Sequence, residues 1–184
     1  IVADFVYGVI TPRILEVLED VSKRHNISLY GDLQCSSQVG NISKFKDFNL
    51  LFPTEREARI ALSNQDDGVE YVANLLMSET RCSNLVLKLG ADGFISYSKD
   101  INSNFVYRQH FPALTMNPVD VTGAGDSLLA SIAVGLSQGL TLMESSALGC
   151  CVAALAVQSM GNAPVDYHAV KNFIKQQGLT LHGI

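Results

Sequence analysis

Apolar and polar positions along this chain change period repeatedly. Short apolar runs of strand length alternate with stretches in which apolar residues recur every three or four positions, the spacing of one helix face. Strands are expected at residues 1–3, 27–30, 48–52, 84–89, 94–97 and 105–109. Helices are expected at residues 12–23, 55–62, 70–79, 124–138, 141–158 and 166–175. Thr11-Pro12 reads as a cap followed by proline at the first helical position. Thr54-Glu55-Arg56-Glu57 has the spacing of a capping box, and Gly90-Ala91-Asp92-Gly93 reads as a turn between two strands.

Strands that alternate with helices imply right-handed crossovers and a largely parallel sheet. In such sheets ligands bind beyond the carboxyl ends of the strands. The polar loops that follow strands carry Asp4, Asp32, residues 54–57 and residues 88–93. A nucleotide and a metal ion would need such a gathering of carboxylates, a lysine and glycine turns. No linker, repeat or low-complexity segment interrupts the pattern, so the 184 residues suit one compact domain or most of a larger one.

Composition narrows the partners. Hydrophobic residues make up 47% of the chain, enough for a sizeable core, and the net charge of −5 argues against nucleic acid and anionic membrane surfaces. The longest apolar tract, residues 148–157, is too short to span a bilayer and reads as a buried helix. Cys35, Cys82, Cys150 and Cys151 lack metal-ligand spacing and read as reduced thiols of a cytoplasmic protein. The histidines His25, His110, His168 and His182 are scattered and suggest no role. The chain opens on an apolar Ile1-Val2-Ala3 without methionine, which reads as a piece whose N-terminal portion is missing. Sheet surface left exposed by that piece would favour a homo-oligomer.

The densest candidate chemistry is Val121-Thr122-Gly123-Ala124-Gly125-Asp126, followed at once by a helix-forming run. Glycine lets a backbone come close to a ligand, and the first turn of a helix offers amides to an anion. A carboxylate beside a phosphate is electrostatically disfavoured unless it takes a proton. Asp126 is therefore a candidate general base for phosphoryl transfer to a hydroxyl. An ordinary helix start explains the same residues. The glycine spacing of a P-loop is absent.

Asn117-Pro118-Val119-Asp120-Val121-Thr122-Gly123-Ala124-Gly125-Asp126-Ser127 resembles the C-terminal signature of the ribokinase-like (PfkB) carbohydrate kinases. Three more segments match that family in order: residues 52–58 its Asn-x-x-Glu motif, residues 87–93 its nucleotide turn, and residues 157–164 its late helix and loop. Asp4-Phe5-Val6-Tyr7-Gly8 is most similar to a loop of the heptose-7-phosphate kinase (ADP-heptose synthase) branch, with Val6 where a glycine is usual. The resemblance implies a ribokinase-like three-layer α/β/α sandwich with a largely parallel sheet. Residues 1–184 would be the C-terminal, nucleotide-binding and catalytic part of that kinase domain.

The resemblance also implies roles. Asp126 would be the base, and Gly123, Ala124 and Gly125 an anion hole for the γ-phosphate of ATP. Glu57 would order Mg²⁺ and its waters, although its position also suits a helix cap; the usual asparagine of that motif is Thr54 here. Lys88, Gly90, Asp92 and Gly93 would face the nucleotide, and Cys150, Gly161 and Asn162 would border adenine. For Lys88, a solvent-exposed strand end explains the residue equally well. For Gly90 and Gly93, a plain hairpin does nearly as well. Asp120 and Thr122 would hold a monovalent cation such as K⁺, or Asp120 would stabilise its turn. Asp32 would face phosphate or metal, or cap a turn.

The implied activity is ATP-dependent phosphorylation of a sugar or sugar-phosphate hydroxyl, with nucleotide and sugar as partners. Alternatives are a kinase of another sugar or a nucleoside, and a non-catalytic nucleotide-binding module. Acceptor-binding residues of this family lie mostly in its N-terminal part, so the isolated chain is expected to phosphorylate nothing by itself.

Overall fold

Parallel ladders organise the first half of the chain. The computed structural model describes residues 1–34, 40–100, 102–103, 105–114, 118–161 and 163–176. Its six-stranded sheet runs in sequence order: β1 (Val2–Asp4), β2 (Tyr30–Leu33), β3 (Leu50–Leu51), β4 (Asn84–Lys88), β5 (Phe94–Lys99) and β6 (Val106–Phe111). Strands β1 to β4 pair in parallel, and β4 pairs with β5 antiparallel. Parallel neighbours need a crossover. Helix α1 (Pro12–His25) lies between β1 and β2 in the chain, and α2 (Glu55–Leu62) and α3 (Val69–Thr80) lie between β3 and β4. The short 3₁₀ turn Gly90–Asp92 leaves room only for a hairpin between β4 and β5.

The chain divides into two compact units, residues 1–110 and 111–184. The core of the first is built on the sheet: Leu33, Phe45, Phe48, Leu51, Leu76, Leu85 and Tyr97 are all fully buried. Local signals fix its helix starts. Thr11 Oγ1 accepts Ile14 N–H ahead of α1 with Pro12 at its first position, and Thr54 and Glu57 form the capping box of α2.

Two strands differ from the sequence expectation. β2 lies at residues 30–33 rather than 27–30. Leu29 is instead held by Asn49: its N–H donates to Asn49 Oδ1 at 2.8 Å, and its carbonyl accepts Asn49 N–H at 2.9 Å. Asp32, expected in the loop after that strand, is therefore a strand residue. β3 contains only Leu50 and Leu51 of the expected five-residue run at 48–52. Phe48 leaves the ladder to pack on Phe45, with ring centroids 5.0 Å apart.

The second unit contains α4 (Ala124–Ser137), α5 (Leu142–Ala156) and α6 (Tyr167–Gln176). Helices α4 and α5 lie very close. A Cβ on Gly149 of α5 would fall 2.7 Å from Leu128 Cδ1, and a Cβ on Gly135 of α4 would fall 2.5 Å from Ser145 Oγ. These contacts pack α4 against α5 at Leu128 and again near its end at Gly135. Cys150 and Cys151 are buried on α5, as the apolar tract predicts. Cys35, Asn117, Asn162 and His182 lie outside the described residues.

Val6 has a φ of +62°, the left-handed region that glycine occupies readily and a β-branched residue does not. The backbone thus keeps the shape expected of the glycine that Val6 replaces. Val6 N–H donates to Asp4 Oδ1 at 2.8 Å, and its side chain packs on the core. The cost appears at Gly40, where a Cβ would fall 2.7 Å from Val6 Cγ2 and 3.1 Å from both Leu33 methyls. Gly40→Ala is expected to lower unfolding stability by about 1–3 kcal/mol, the usual penalty of overpacking. Val6→Gly removes the nearer obstacle, so the double variant should recover about 1 kcal/mol relative to the sum of the singles. Denaturant unfolding of the four proteins checks this; strictly additive losses would contradict the packing described.

Candidate functional site

Among the parallel strands, β1 ends on Asp4, β4 ends on Lys88 and β2 carries Asp32 just before its end, and each of the two aspartates has a lysine. Asp4, at the end of β1 and 3% exposed, pairs with Lys44. Asp32, in β2 and 2% exposed, receives the Lys88 ammonium at 2.9 Å. Lys88 Nζ also lies 4.7 Å from the Phe52 ring centroid, within cation–π range. Unpaired carboxylates so deeply buried would be strongly disfavoured, and the lysines offset that cost.

Lys88 therefore is not a strand-end lysine in solvent; its side chain is 16% exposed and bound to Asp32. A phosphate would have to share this ammonium with Asp32. The start of α2 adjoins the same edge. Thr54 and Lys88 form a parallel bridge, and Lys88 N–H donates to the Pro53 carbonyl at 2.9 Å.

Glu57 is buried and closes the capping box: its Oε2 accepts Thr54 N–H at 2.7 Å, while its own N–H donates to Thr54 Oγ1 at 3.2 Å. Among the described residues, no three His, Cys, Asp or Glu side chains converge as a metal cage. Magnesium needs no such cage, because it keeps several waters and binds through one or two carboxylates and the substrate's phosphates. The hard oxygens of Asp32 and Glu57 fit that requirement.

Beyond β4, Gly90 and Gly93 have φ of +65° and +86°, and Leu89 N–H donates to the Gly93 carbonyl at 2.8 Å. The tight turn itself therefore accounts for both glycines. Asp92 is exposed on it, and its carbonyl lies 2.8 Å from His110 Nε2.

In the second unit, Gly123 enters α4 with φ of +75° and has no side chain to cap it. Helices α1, α2 and α5 each begin on a threonine that bonds a first-turn amide. In α4, Ala124 N–H turns back to the Val121 carbonyl at 3.2 Å, and Ser127 N–H makes the bond to Gly123 at 2.9 Å. Gly125 and Asp126 stand between them, at the helix positions whose amides precede the i→i−4 ladder. Asp126 is exposed in this first turn.

Asp120 ties two loops together. Its Oδ1 accepts Thr122 N–H at 2.9 Å and its Oδ2 accepts Gly161 N–H at 3.0 Å. These donations, Thr122's first, hold its carboxyl below the usual carboxylate range. Gly161 has φ of +76°. Cys150 is buried and its thiol donates to the Pro112 carbonyl at 3.3 Å. Burial pushes that thiol up to about 11, with Cys151 adding, so it remains uncharged near neutrality. An adenine would meet little of so enclosed a side chain.

Sequence reasoning missed two parts of this arrangement. Lys44 lies 40 positions from Asp4 with no motif linking them. The ring of Phe52 under Lys88 follows from the strand register, which the sequence placed too loosely.

Comparison with known proteins gives this geometry its setting. Residues 2–166 match the pfkB family carbohydrate kinases. A bifunctional protein HldE of Trichlorobacter lovleyi is 32% identical over 168 residues, which span 90% of this chain and 32% of that protein. Ribokinase from Thermotoga maritima superposes with a TM-score of 0.71 at 26% identity, over 88% of this chain and 53% of that one. Arabidopsis thaliana ribokinase, solved with ribose and ATP, superposes with a TM-score of 0.75 at 19% identity, over 90% of this chain and 53% of that one. The chain thus has the ribokinase-like α/β fold expected from its motifs and spans about a third of the length of the curated relatives it matches. It belongs to the pfkB family of carbohydrate kinases.

Proposed function

We propose that this chain is the nucleotide-binding and catalytic part of an ATP-dependent kinase acting on a sugar or sugar-phosphate hydroxyl. Heptose 7-phosphate is the first acceptor to test, because the loop at Asp4–Gly8 resembles that branch. The observation that carries the reading is the start of α4. A glycine in the left-handed region leads into a helix with no side-chain cap at its start, and the exposed Asp126 stands in its first turn.

In this reading the amides of Gly123, Ala124 and Gly125 face the γ-phosphate, Ala124 N–H exchanging its bond to the Val121 carbonyl for the phosphate, and stabilise the charge that develops on it. Asp126 accepts the proton of the attacking hydroxyl. Mg²⁺, held through waters near Glu57 and Asp32, would neutralise phosphate charge when bound. By the resemblance, Lys88, the turn from Gly90 through Asp92 to Gly93, Gly161 and Asn162 would be the nucleotide-side groups, while Cys150, enclosed against Pro112, would add little to them. ATP as donor agrees with the Arabidopsis ribokinase complex, and a cytoplasmic setting would supply it. Self-association, expected from exposed sheet surface, remains part of the proposal and is read by sedimentation.

One observation favours a second reading, a nucleotide-binding module without catalysis: Lys88 is already committed to Asp32. A sugar and sugar-phosphate panel separates the two. Binding of Mg-ATP without phosphate transfer to any acceptor, in a form carrying the whole kinase domain, would favour the module.

Two variants test the assignments. In a form of the protein that turns over, Asp126→Ala should lower kcat by about 10²–10⁴-fold, the range for loss of a general base; near-normal turnover would overturn the role. Lys88→Met leaves Asp32 buried without its cation and should cost about 3 kcal/mol of folding stability by denaturant unfolding. Asp32→Asn in the same protein should restore part of that loss. Unchanged stability in Lys88→Met would contradict the ion pair as a structural element.

A further inference from the structure

His110, one of the histidines to which the sequence assigns no role, lies in β6 beside β5 and reaches the turn that joins β4 to β5. That turn has little else to hold it. Gly90, Ala91 and Asp92 are all exposed, and a Cβ on Gly90 would meet open space. Two of its backbone bonds are long: Asp92 N–H to the Leu89 carbonyl at 3.4 Å, and Gly93 N–H to the Gly90 carbonyl at 3.2 Å. Gly93 has φ of +86° and ψ of −129°, a mirror-extended conformation that glycine alone adopts readily. With no side chain on Gly93, few contacts oppose rotation of the Asp92–Gly93 peptide plane.

His110 acts on that plane. A carbonyl oxygen has only lone pairs to offer, so at 2.8 Å the His110 Nε2 must carry the hydrogen and donate it to the Asp92 carbonyl. This bond holds one side of the peptide, and the bond from Gly93 N–H to Gly90 holds the other. Turning the plane over would break both. We propose that His110 is a positioning residue for the nucleotide: by locking the Asp92–Gly93 peptide it keeps the turn in the shape that receives ATP, acting through the turn rather than by contact with the ligand. The proposal rests on the reading of this turn as a nucleotide-side group.

Two measurements on the full chain separate the hydrogen bond from its use, each comparing the unaltered protein with His110→Ala and His110→Gln. The first is amide hydrogen exchange by NMR without nucleotide. Loss of the donor in His110→Ala should speed exchange at Gly93 and Leu89, whose amides close the turn, by about three- to tenfold, the equivalent of one modest hydrogen bond. Glutamine also donates through its side-chain amide and should return most of that protection. The second is Mg-ATP affinity by calorimetry. It should weaken by about three- to tenfold in His110→Ala and stay close to the unaltered value in His110→Gln. In a form of the protein that turns over, the loss should appear in KM for ATP, while kcat and KM for the acceptor hold. Unchanged exchange at both amides in His110→Ala would overturn the proposal, and equal losses in the alanine and glutamine variants would overturn the donor role. Equal Mg-ATP affinity in all three proteins would also overturn it and leave the kinase reading standing. An unaltered protein that binds no Mg-ATP overturns the kinase reading and this proposal with it.

Discussion

The chemistry proposed for this protein depends on one backbone turn. Gly123 enters α4 at a φ of +75° and gives the helix no capping side chain; Ala124 N–H turns back to Val121, and the amides of Gly125 and Asp126 precede the helix ladder. A serine or threonine at that position would satisfy one of those amides, as Thr11, Thr54 and Thr141 do for α1, α2 and α5. Evenly capped helices would make a more stable and chemically inert protein. Helix α3 also starts on a glycine, Gly68, without a side-chain cap; the start of α4 differs in the left-handed φ of its glycine and in the Asp126 of its first turn, and α4 packs closely on α5 at Gly149 and Gly135.

A different balance governs the edge of the parallel sheet. Strand ends in such sheets gather polar side chains, and here Asp4 and Asp32 are almost wholly buried. Lys44 and Lys88 neutralise them, so the edge has paired charge rather than a bare acidic cluster. Such pairs contribute little net stability, yet removing one partner leaves an uncompensated charge and is costly. They hold the ends of β1, β2 and β4 in fixed positions, and they constrain any ligand that would compete for the same ammonium.

Local signals were the legible part of this sequence. The Thr54-to-Glu57 spacing predicted a capping box, and both of its bonds are present. The motif order predicted the family and the mostly parallel sheet, which the comparisons and the strand pairing bear out. Non-local interactions were not legible. Strand β2 begins three residues later than its apolar run because Asn49, twenty positions away from Leu29, takes that residue's hydrogen bonds. Lys88 read equally as a phosphate-facing cation and as a strand-end lysine in solvent, and its ion pair was not legible because Asp32 is 56 positions away. Val6 was recognised as a departure from glycine, but only the backbone shows that its left-handed conformation survives the substitution, at the expense of space near Gly40.

The central claim is that the first turn of α4 binds a terminal phosphate. It is tested most directly by following the backbone amide signals of Gly123, Ala124, Gly125 and Asp126 by NMR as Mg-ATP, and separately Mg-ADP, is added to the chain. These four amides should shift with Mg-ATP and shift much less with Mg-ADP, which lacks the γ-phosphate. Saturable nucleotide binding that leaves all four signals in place would contradict it.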